Sequence, residues 1–74
     1  MSRRKSDHLT DRQEAIARCM RRWVVDKGEY PTLREIGGEV GIASPATVHY
    51  QLQEMERLGA VARGEGSSRV YRLT

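Results

Sequence analysis

The sequence predicts a mainly α-helical domain in which three helices are followed by a small β-hairpin. Apolar residues recur at helical spacing in three segments, and each segment lies between residues that start and stop helices. After the third segment, two short runs of β-forming residues flank a turn rich in Gly and Ser. A chain of 74 residues is too short to bury two separate cores, so one domain is expected.

The first helix is predicted over residues 11–26. Thr10 and Gln13 have the spacing of a capping box, in which each residue satisfies a backbone amide of the other. Apolar residues then recur on one face until Gly28 supplies a left-handed stop. That face contains Ile16, Cys19, Met20, Trp23, Val24 and Lys27. Residues 1–8 have no such periodicity and are expected to form a flexible basic arm.

The second helix is predicted to be short. Thr32 and Glu35 form another capping box, and Gly41 ends the segment after about two turns. Two adjacent glycines, Gly37 and Gly38, weaken it by about 2 kcal/mol relative to two alanines, so the helix needs tertiary support. A second backbone that crosses close to Gly37 would explain the glycine there.

The third helix is predicted over residues 45–58, after an N-cap at Ser44 and before a stop at Gly59. At 100° per residue, its apolar and polar side chains fall on opposite faces. The apolar face contains Val48, Leu52 and Met55, and the polar face contains Ala46, Tyr50, Gln53 and Arg57, flanked by Thr47 and His49. Strands are then expected at 60–63 and 69–73, and Tyr30 is expected to add a further short strand.

Composition excludes several classes of protein. No apolar run approaches the roughly 20 residues that cross a bilayer, and the basic N-terminus leads into no apolar stretch, so a cytoplasmic protein is expected. One cysteine and two histidines supply neither a disulfide nor a zinc site. The sequence has no nucleophile motif, paired carboxylates or phosphate loop. We therefore expect no enzyme, no metal, no cofactor and no small-molecule ligand.

The order of the elements is that of a winged helix-turn-helix domain, predicted over residues 9–74. Helices two and three are separated by a three-residue turn, and the outward face of helix three fits the major groove of B-DNA. Charge is uneven, because residues 1–27 and 60–74 are basic and residues 28–59 are acidic. The acidic segment leaves an alternative open, a winged helix that pairs with another regulator without reading DNA itself. In that alternative, the phosphates would be repelled by Glu39, Glu54 and Glu56.

Three runs of residues carry a resemblance to a known family. They are Leu9-Thr10-Asp11-Arg12-Gln13, Tyr30-Pro31-Thr32-Leu33-Arg34-Glu35-Ile36-Gly37 and Val40-Gly41-Ile42-Ala43-Ser44-Pro45-Ala46-Thr47-Val48, followed by a wing from Gly64 to Arg69. In this order and spacing, they closely resemble the N-terminal DNA-binding domain of LexA-type SOS repressors, nearest the actinobacterial versions. The resemblance covers about residues 9–73. It does not include the family's C-terminal domain, whose Ser/Lys dyad cleaves the chain, so self-cleavage is not expected of these residues.

The resemblance implies a sequence-specific regulator of transcription, a repressor, that binds double-stranded DNA. The family reads bases from the beginning and middle of the third helix, which here carry Ser44, Ala46, Thr47, His49 and Tyr50. Gln53 adds a side chain able to pair with adenine. The enterobacterial pattern has one Asn and two Glu at the positions of Ala46, His49 and Tyr50. None of them is kept here, so the GAAC-type half-site does not carry over.

Phosphate contacts are expected from Ser44, from the N-terminal amides of the third helix, and from other basic and hydroxyl side chains. These are Arg34, Arg63, Ser67, Arg69 and Arg72, together with Arg3, Arg4 and Lys5 in the arm. A domain of this size makes few phosphate contacts. Tight binding is therefore expected to need a homodimer or a partner protein on a palindromic site.

Overall fold

The computed structural model describes residues 9–64 and 71–74. In these residues the order of elements is α1 (Asp11–Lys27), α2 (Leu33–Val40), α3 (Pro45–Arg57), β1 (Val61–Arg63) and β2 (Tyr71–Leu73). The two strands pair antiparallel as a hairpin. The predicted winged helix-turn-helix, mainly helical with a small hairpin, is thereby confirmed. A helix long and apolar enough to span a bilayer does not occur in these two ranges.

Reciprocal side-chain caps fix where α1 and α2 begin. The Thr10 hydroxyl accepts from the backbone N–H of Gln13, and the Gln13 side-chain oxygen accepts from the backbone N–H of Thr10. Thr32 and Glu35 repeat this arrangement at the start of α2. Both helices end at a glycine in the left-handed conformation. Both capping boxes and both stops agree with the sequence-based prediction.

Local details differ from the prediction at several places; α1, for example, ends at Lys27, one residue beyond the predicted end. Tyr30 is not part of a strand, and Thr32 forms an isolated β-bridge in its place. The intervening Pro31 has no N–H to donate to a strand ladder, so a strand through Tyr30 cannot continue. Ser44 precedes α3 as predicted, but its hydroxyl makes no capping bond in the described part of the chain. Helix α3 ends at Arg57, one residue before the predicted end.

All five elements, with the α2–α3 turn and the residue before β1, contribute to one apolar core. Its buried members are Ile16, Ala17, Cys19, Met20, Ile36, Ile42, Val48, Leu52, Met55, Ala60, Val61 and Tyr71. Trp23, predicted as a core residue, is only partly buried, and the ammonium of Lys27 lies 4.9 Å from the centre of its ring. Lys27 therefore covers the indole from the solvent side and is not itself a core residue.

Helix α2 closely approaches the α2–α3 turn and α3 at Gly37. A Cβ atom at this position would lie 2.6 Å from the carbonyl oxygen of Ile42 and 3.4 Å from Cγ2 of Val48. The N–H of Ile42 also donates to the carbonyl of Gly37 across 2.9 Å. The expectation that another backbone crosses near Gly37 is confirmed, and that backbone belongs to the turn between the two helices.

Candidate nucleic-acid interface

Helix α3 separates its apolar and polar side chains by face. Its inner face consists of Val48, Leu52 and Met55, all fully buried. Its outward face carries four exposed residues, Ala46, Tyr50, Gln53 and Arg57. Tyr50 is the one aromatic residue among these four, and 57% of it is exposed. The structure therefore brings three of the predicted base-reading residues together on one exposed face.

One flank of α3 is fixed to the start of α1. The side-chain nitrogen of Gln13 donates to the side-chain oxygen of Gln51 across 3.0 Å, and Gln13 is itself buried. From the sequence, Gln13 was predicted only as a capping residue, and no role was predicted for Gln51. The available signal was its helical angle, because Gln51 borders the apolar face of α3 and must meet a neighbouring element there.

The other flank of α3 packs against the hairpin. The His49 ring is half-buried, and its centre lies 6.1 Å from the centre of the Tyr71 ring at an interplanar angle of 55°. Its Nε2 atom is enclosed and has no hydrogen-bond partner among the described residues. His49 therefore differs from the other predicted base-reading residues on α3, because a large part of its ring is occupied with the hairpin.

The start of α3 lies beside α2. Ser44 is exposed and Thr47 is half-buried, and the carbonyl of Ser44 accepts from the backbone N–H of Thr47 across 3.1 Å. Arg34, on the first turn of α2, lines the same groove as Ala43 and Pro45. This groove brings Arg34 beside the N-terminal end of α3, where the helix dipole is positive, which is an arrangement suited to a phosphate.

Two hairpin arginines predicted to bind phosphate, Arg63 and Arg72, have different surroundings. Arg63 is opposite Tyr71 and Arg72 is opposite Ala62, so the two arginines lie on opposite faces of the hairpin. The guanidinium of Arg63 lies 5.7 Å from the centre of the Tyr71 ring and 3.8 Å from a carboxylate oxygen of Glu56. Arg63 therefore lies on the face that adjoins α3. There the carboxylate of Glu56 would compete with a DNA phosphate for the Arg63 guanidinium.

The three acidic residues that favoured the interaction-module hypothesis each have an arginine partner. Glu39 accepts from Arg22 of α1 across 2.7 Å, Glu54 pairs with Arg57 one turn along α3, and Glu56 pairs with Arg63. These pairs are exposed and contribute little to stability, but they offset the negative charge that would face a phosphate backbone. The repulsion between these carboxylates and DNA phosphates, on which the interaction-module hypothesis rested, is correspondingly reduced.

The pair between Arg22 and Glu39 covers Cys19. The hydrogen bond from Arg22 lowers the pKa of Glu39, and Glu39 in turn lies 3.7 Å from the thiol sulfur. Burial, followed by the charge of Glu39, raises the pKa of Cys19 to about 11. The thiol is therefore protonated and unreactive at neutral pH, as expected of a small buried core residue.

Five of the predicted phosphate-binding residues lie outside the described ranges, namely Arg3, Arg4, Lys5, Ser67 and Arg69. Within those ranges, His, Cys, Asp and Glu side chains form no group of three or more that could hold a metal ion. The described candidate interface therefore consists of the outward face and N-terminus of α3, Arg34, and the two hairpin arginines.

Comparison with known proteins agrees with this geometry. A family model described as the LexA DNA binding domain matches residues 6–70. The LexA repressor of Brevibacillus brevis is 43% identical over 65 residues, which cover 88% of this chain and 31% of the relative. The LexA repressor of Streptomyces coelicolor is 38% identical over 71 residues, covering 96% of this chain and 30% of the relative.

A third relative, the LexA repressor of an Arthrobacter species, is 44% identical over 59 residues, covering 80% of this chain and 24% of the relative. The chain thus spans about a quarter to a third of the length of these curated relatives. The family model covers most of the chain, and its boundaries contain all three helices and the first strand of the winged helix-turn-helix. The chain therefore belongs to the LexA DNA-binding domain family.

Proposed function

We propose that this domain binds double-stranded DNA sequence-specifically, with α3 in the major groove. In this proposal, the domain is the DNA-binding part of a transcriptional repressor. The observation that carries the proposal is the outward face of α3, which is exposed along its length while Gln51 and His49 anchor its two flanks. An α-helix whose outward face is exposed in this way fits the width of the major groove. Membership of the LexA DNA-binding domain family and the repressor names of the relatives support the same function.

The proposal divides the contacts into two groups. Base edges are met by Ser44, Ala46, Thr47, Tyr50 and Gln53, and His49 lies at the margin of this set. Phosphates are met by the first amides of α3 with Arg34, and by Arg63 and Arg72 on the hairpin. The arm residues Arg3, Arg4 and Lys5, with Ser67 and Arg69 of the wing, remain predictions of further phosphate contacts.

The number of phosphate contacts bears on assembly. We propose that two copies, or one copy and a partner protein, occupy a palindromic site with half-sites about 34 Å or a multiple of that distance apart. One α3 and a few arginines neutralise only a small number of phosphates, whereas tight specific binding usually uses a larger interface. The proposed role is that of a regulator without catalytic activity or cofactor in this domain, acting on the chromosome in the cytoplasm.

Selection from a random duplex library tests the proposal. We expect one enriched sequence, and we expect the affinity for it to fall steeply as salt rises, because phosphate contacts release counterions. Replacement of Tyr50 by Ala should reduce discrimination between bases by about 1 to 3 kcal/mol. Replacement of Arg72 by Ala should weaken binding to all sequences alike and reduce the salt slope by about 1.

Val25 provides the matched control. It is an exposed apolar residue on the outer face of α1, so Val25→Ala should leave both base discrimination and the salt slope unchanged. The proposal would be contradicted, and the interaction module favoured, if the library yields no enriched sequence and the affinity for DNA does not change with salt concentration. If Tyr50→Ala and Arg72→Ala behave identically, the division into base and phosphate contacts is wrong.

A further inference from the structure

The part of α3 that would enter the groove first carries no charge. From Ser44 to Gln53 the sequence is Ser-Pro-Ala-Thr-Val-His-Tyr-Gln-Leu-Gln, without Asp, Glu, Lys or Arg. Charged residues begin only at Glu54, and that carboxylate is paired with Arg57. The chemistry available to meet base edges is therefore limited to hydroxyl groups, amides, one imidazole and apolar surface.

The major-groove edges of the base pairs require different partners. Guanine is read mostly by Arg or Lys at O6 and N7, and the amino group of cytosine is read by Asp or Glu. Adenine is read by Asn or Gln at N6 and N7, and the C5-methyl of thymine is met by apolar side chains. The outward face of α3 contains one residue of the adenine-reading type, Gln53, and two apolar surfaces, Ala46 and the Tyr50 ring. The one cation on this face, Arg57, lies in the last turn and is paired with Glu54, so neither a cation nor a carboxylate lies between Ala46 and Gln53.

Two further polar side chains of this segment are held by contacts with other parts of the domain. Gln51 accepts from Gln13 across 3.0 Å, so its amide is held at the flank next to α1. His49 packs against Tyr71 with its Nε2 enclosed, so that nitrogen cannot reach a guanine N7. The hydroxyl groups of Ser44 and Thr47 can donate or accept, and they discriminate weakly between bases.

From this inventory we propose that the base pairs contacted by Ala46, Tyr50 and Gln53 on the outward face of α3 are A·T pairs. Gln53 bonds the N6 and N7 edge of an adenine, and Ala46 and the Tyr50 ring contact thymine methyl groups. Any G·C pair in the preferred site is contacted by other residues. The inference rests on the proposed function, because it assigns the bases read by that same helix.

Removal of single methyl groups from the DNA tests the inference without altering the protein. Each thymine of the selected site is replaced in turn by deoxyuridine, which pairs identically but lacks the C5-methyl. We expect at least two positions at which the Kd rises about fourfold, the loss that corresponds to one buried methyl-sized group. In Ala46→Gly and Tyr50→Ala, one of these two sensitivities should disappear in each variant. Val25→Ala should retain both.

A change of specificity tests the role of Gln53. Gln53→Arg should change the preferred base at one position from adenine to guanine, whereas Gln53→Ala should lose preference at that position only. Both variants are expected to fold, because Gln53 is exposed, and thermal melting checks this. A selected site in which Gln53→Ala or Tyr50→Ala abolishes preference for a G·C pair would overturn the inference and leave the proposed function intact. Failure of the library to yield any preferred sequence would instead overturn the proposed function and the inference with it.

Discussion

Gln13 donates a side-chain hydrogen bond to Gln51 across 3.0 Å, and this contact joins the first turn of α1 to α3. The same Gln13 side chain accepts from the backbone N–H of Thr10. One buried amide therefore caps one helix and holds the flank of another. The helix proposed to read DNA is thus positioned by a polar contact as well as by its apolar face.

Removal of this contact should destabilise the domain. Gln13→Ala should lower the free energy of unfolding by about 2 kcal/mol, because it removes a cap and a partly buried hydrogen bond. Gln51→Ala should lower it by about 1 kcal/mol, and a double-mutant cycle in urea should give a coupling of about 1 kcal/mol. Gln53→Ala, an exposed residue on the same helix, is the control and should have little effect. Additive single effects would show that the pair contributes nothing.

The two adjacent glycines of α2 should respond oppositely to alanine. At Gly37 the new Cβ would lie 2.6 Å from the Ile42 carbonyl oxygen, whereas at Gly38 it meets nothing within 4 Å. We expect Gly37→Ala to lower the free energy of unfolding by about 1 to 3 kcal/mol through overpacking. We expect Gly38→Ala to raise it by about 1 kcal/mol through helix propensity. Urea midpoints measure both, and a shift in the same direction for both variants would contradict this account of the turn.

The thiol of Cys19 should resist alkylation in the folded protein. Its pKa is raised from 9.0 to about 11, so the reactive thiolate is scarce at pH 8. We expect slow reaction with iodoacetamide in buffer and rapid reaction in urea. The unfolded thiol ionises near pH 9.0 and the folded one near pH 11, so the stabilisation from the protonated buried thiol is complete below pH 9. It should be lost as the pH rises through this interval.

Two variants isolate the cause of this shift. Glu39→Gln removes a negative charge beside the sulfur, so the pKa of Cys19 should fall part of the way towards its ordinary value and alkylation at pH 9 should accelerate. Cys19→Ala should show a smaller loss of stability between pH 9 and 11 than the wild-type protein. If the free energy of unfolding of the wild-type protein and of Cys19→Ala depends equally on pH, the loss of stability at alkaline pH comes from other groups.

Glu56 should restrain the binding of DNA through Arg63. Its carboxylate lies 3.8 Å from the guanidinium, and both side chains are partly exposed. Glu56→Gln removes this competitor for the Arg63 charge, so we expect a several-fold gain in affinity for all duplexes, larger at low salt. The gain should shrink markedly in an Arg63→Ala background. Equal gains in the two backgrounds would show that Glu56 acts only through the net charge of the domain.

Local sequence rules predicted the helix boundaries well. The capping boxes at Thr10 and Thr32 involve groups only three residues apart, so their sequence spacing determines the contact. The periodicity of α3 likewise predicted its buried face, because an amphipathic helix has one way to shield its apolar side. The strand expected at Tyr30 was wrong, because the missing N–H of Pro31 outweighs the β propensity of tyrosine.

Contacts between distant elements could not be predicted in this way. Gln13 and Gln51 are 38 positions apart, and nothing in either local sequence identifies its partner. The position of His49 was predicted at the edge of the polar face, but whether that edge is open or covered depends on how the hairpin packs. The pairing of Arg22 with Glu39 similarly requires α1 and α2 to be adjacent.

The close approach at Gly37 has a consequence for the duplex. Because Gly37 lies against the turn and α3 with no room for a Cβ atom, a change of the crossing angle between α2 and α3 would disrupt this contact, and we expect the helix pair to be stiff. A stiff protein element leaves the adjustment to the DNA, whose cost of bending depends on its base steps. Flexible TA and CA/TG steps next to the contacted pairs should therefore be preferred over rigid A-tracts. At positions that no side chain contacts, the base sequence of the operator would then be selected for how easily the DNA bends.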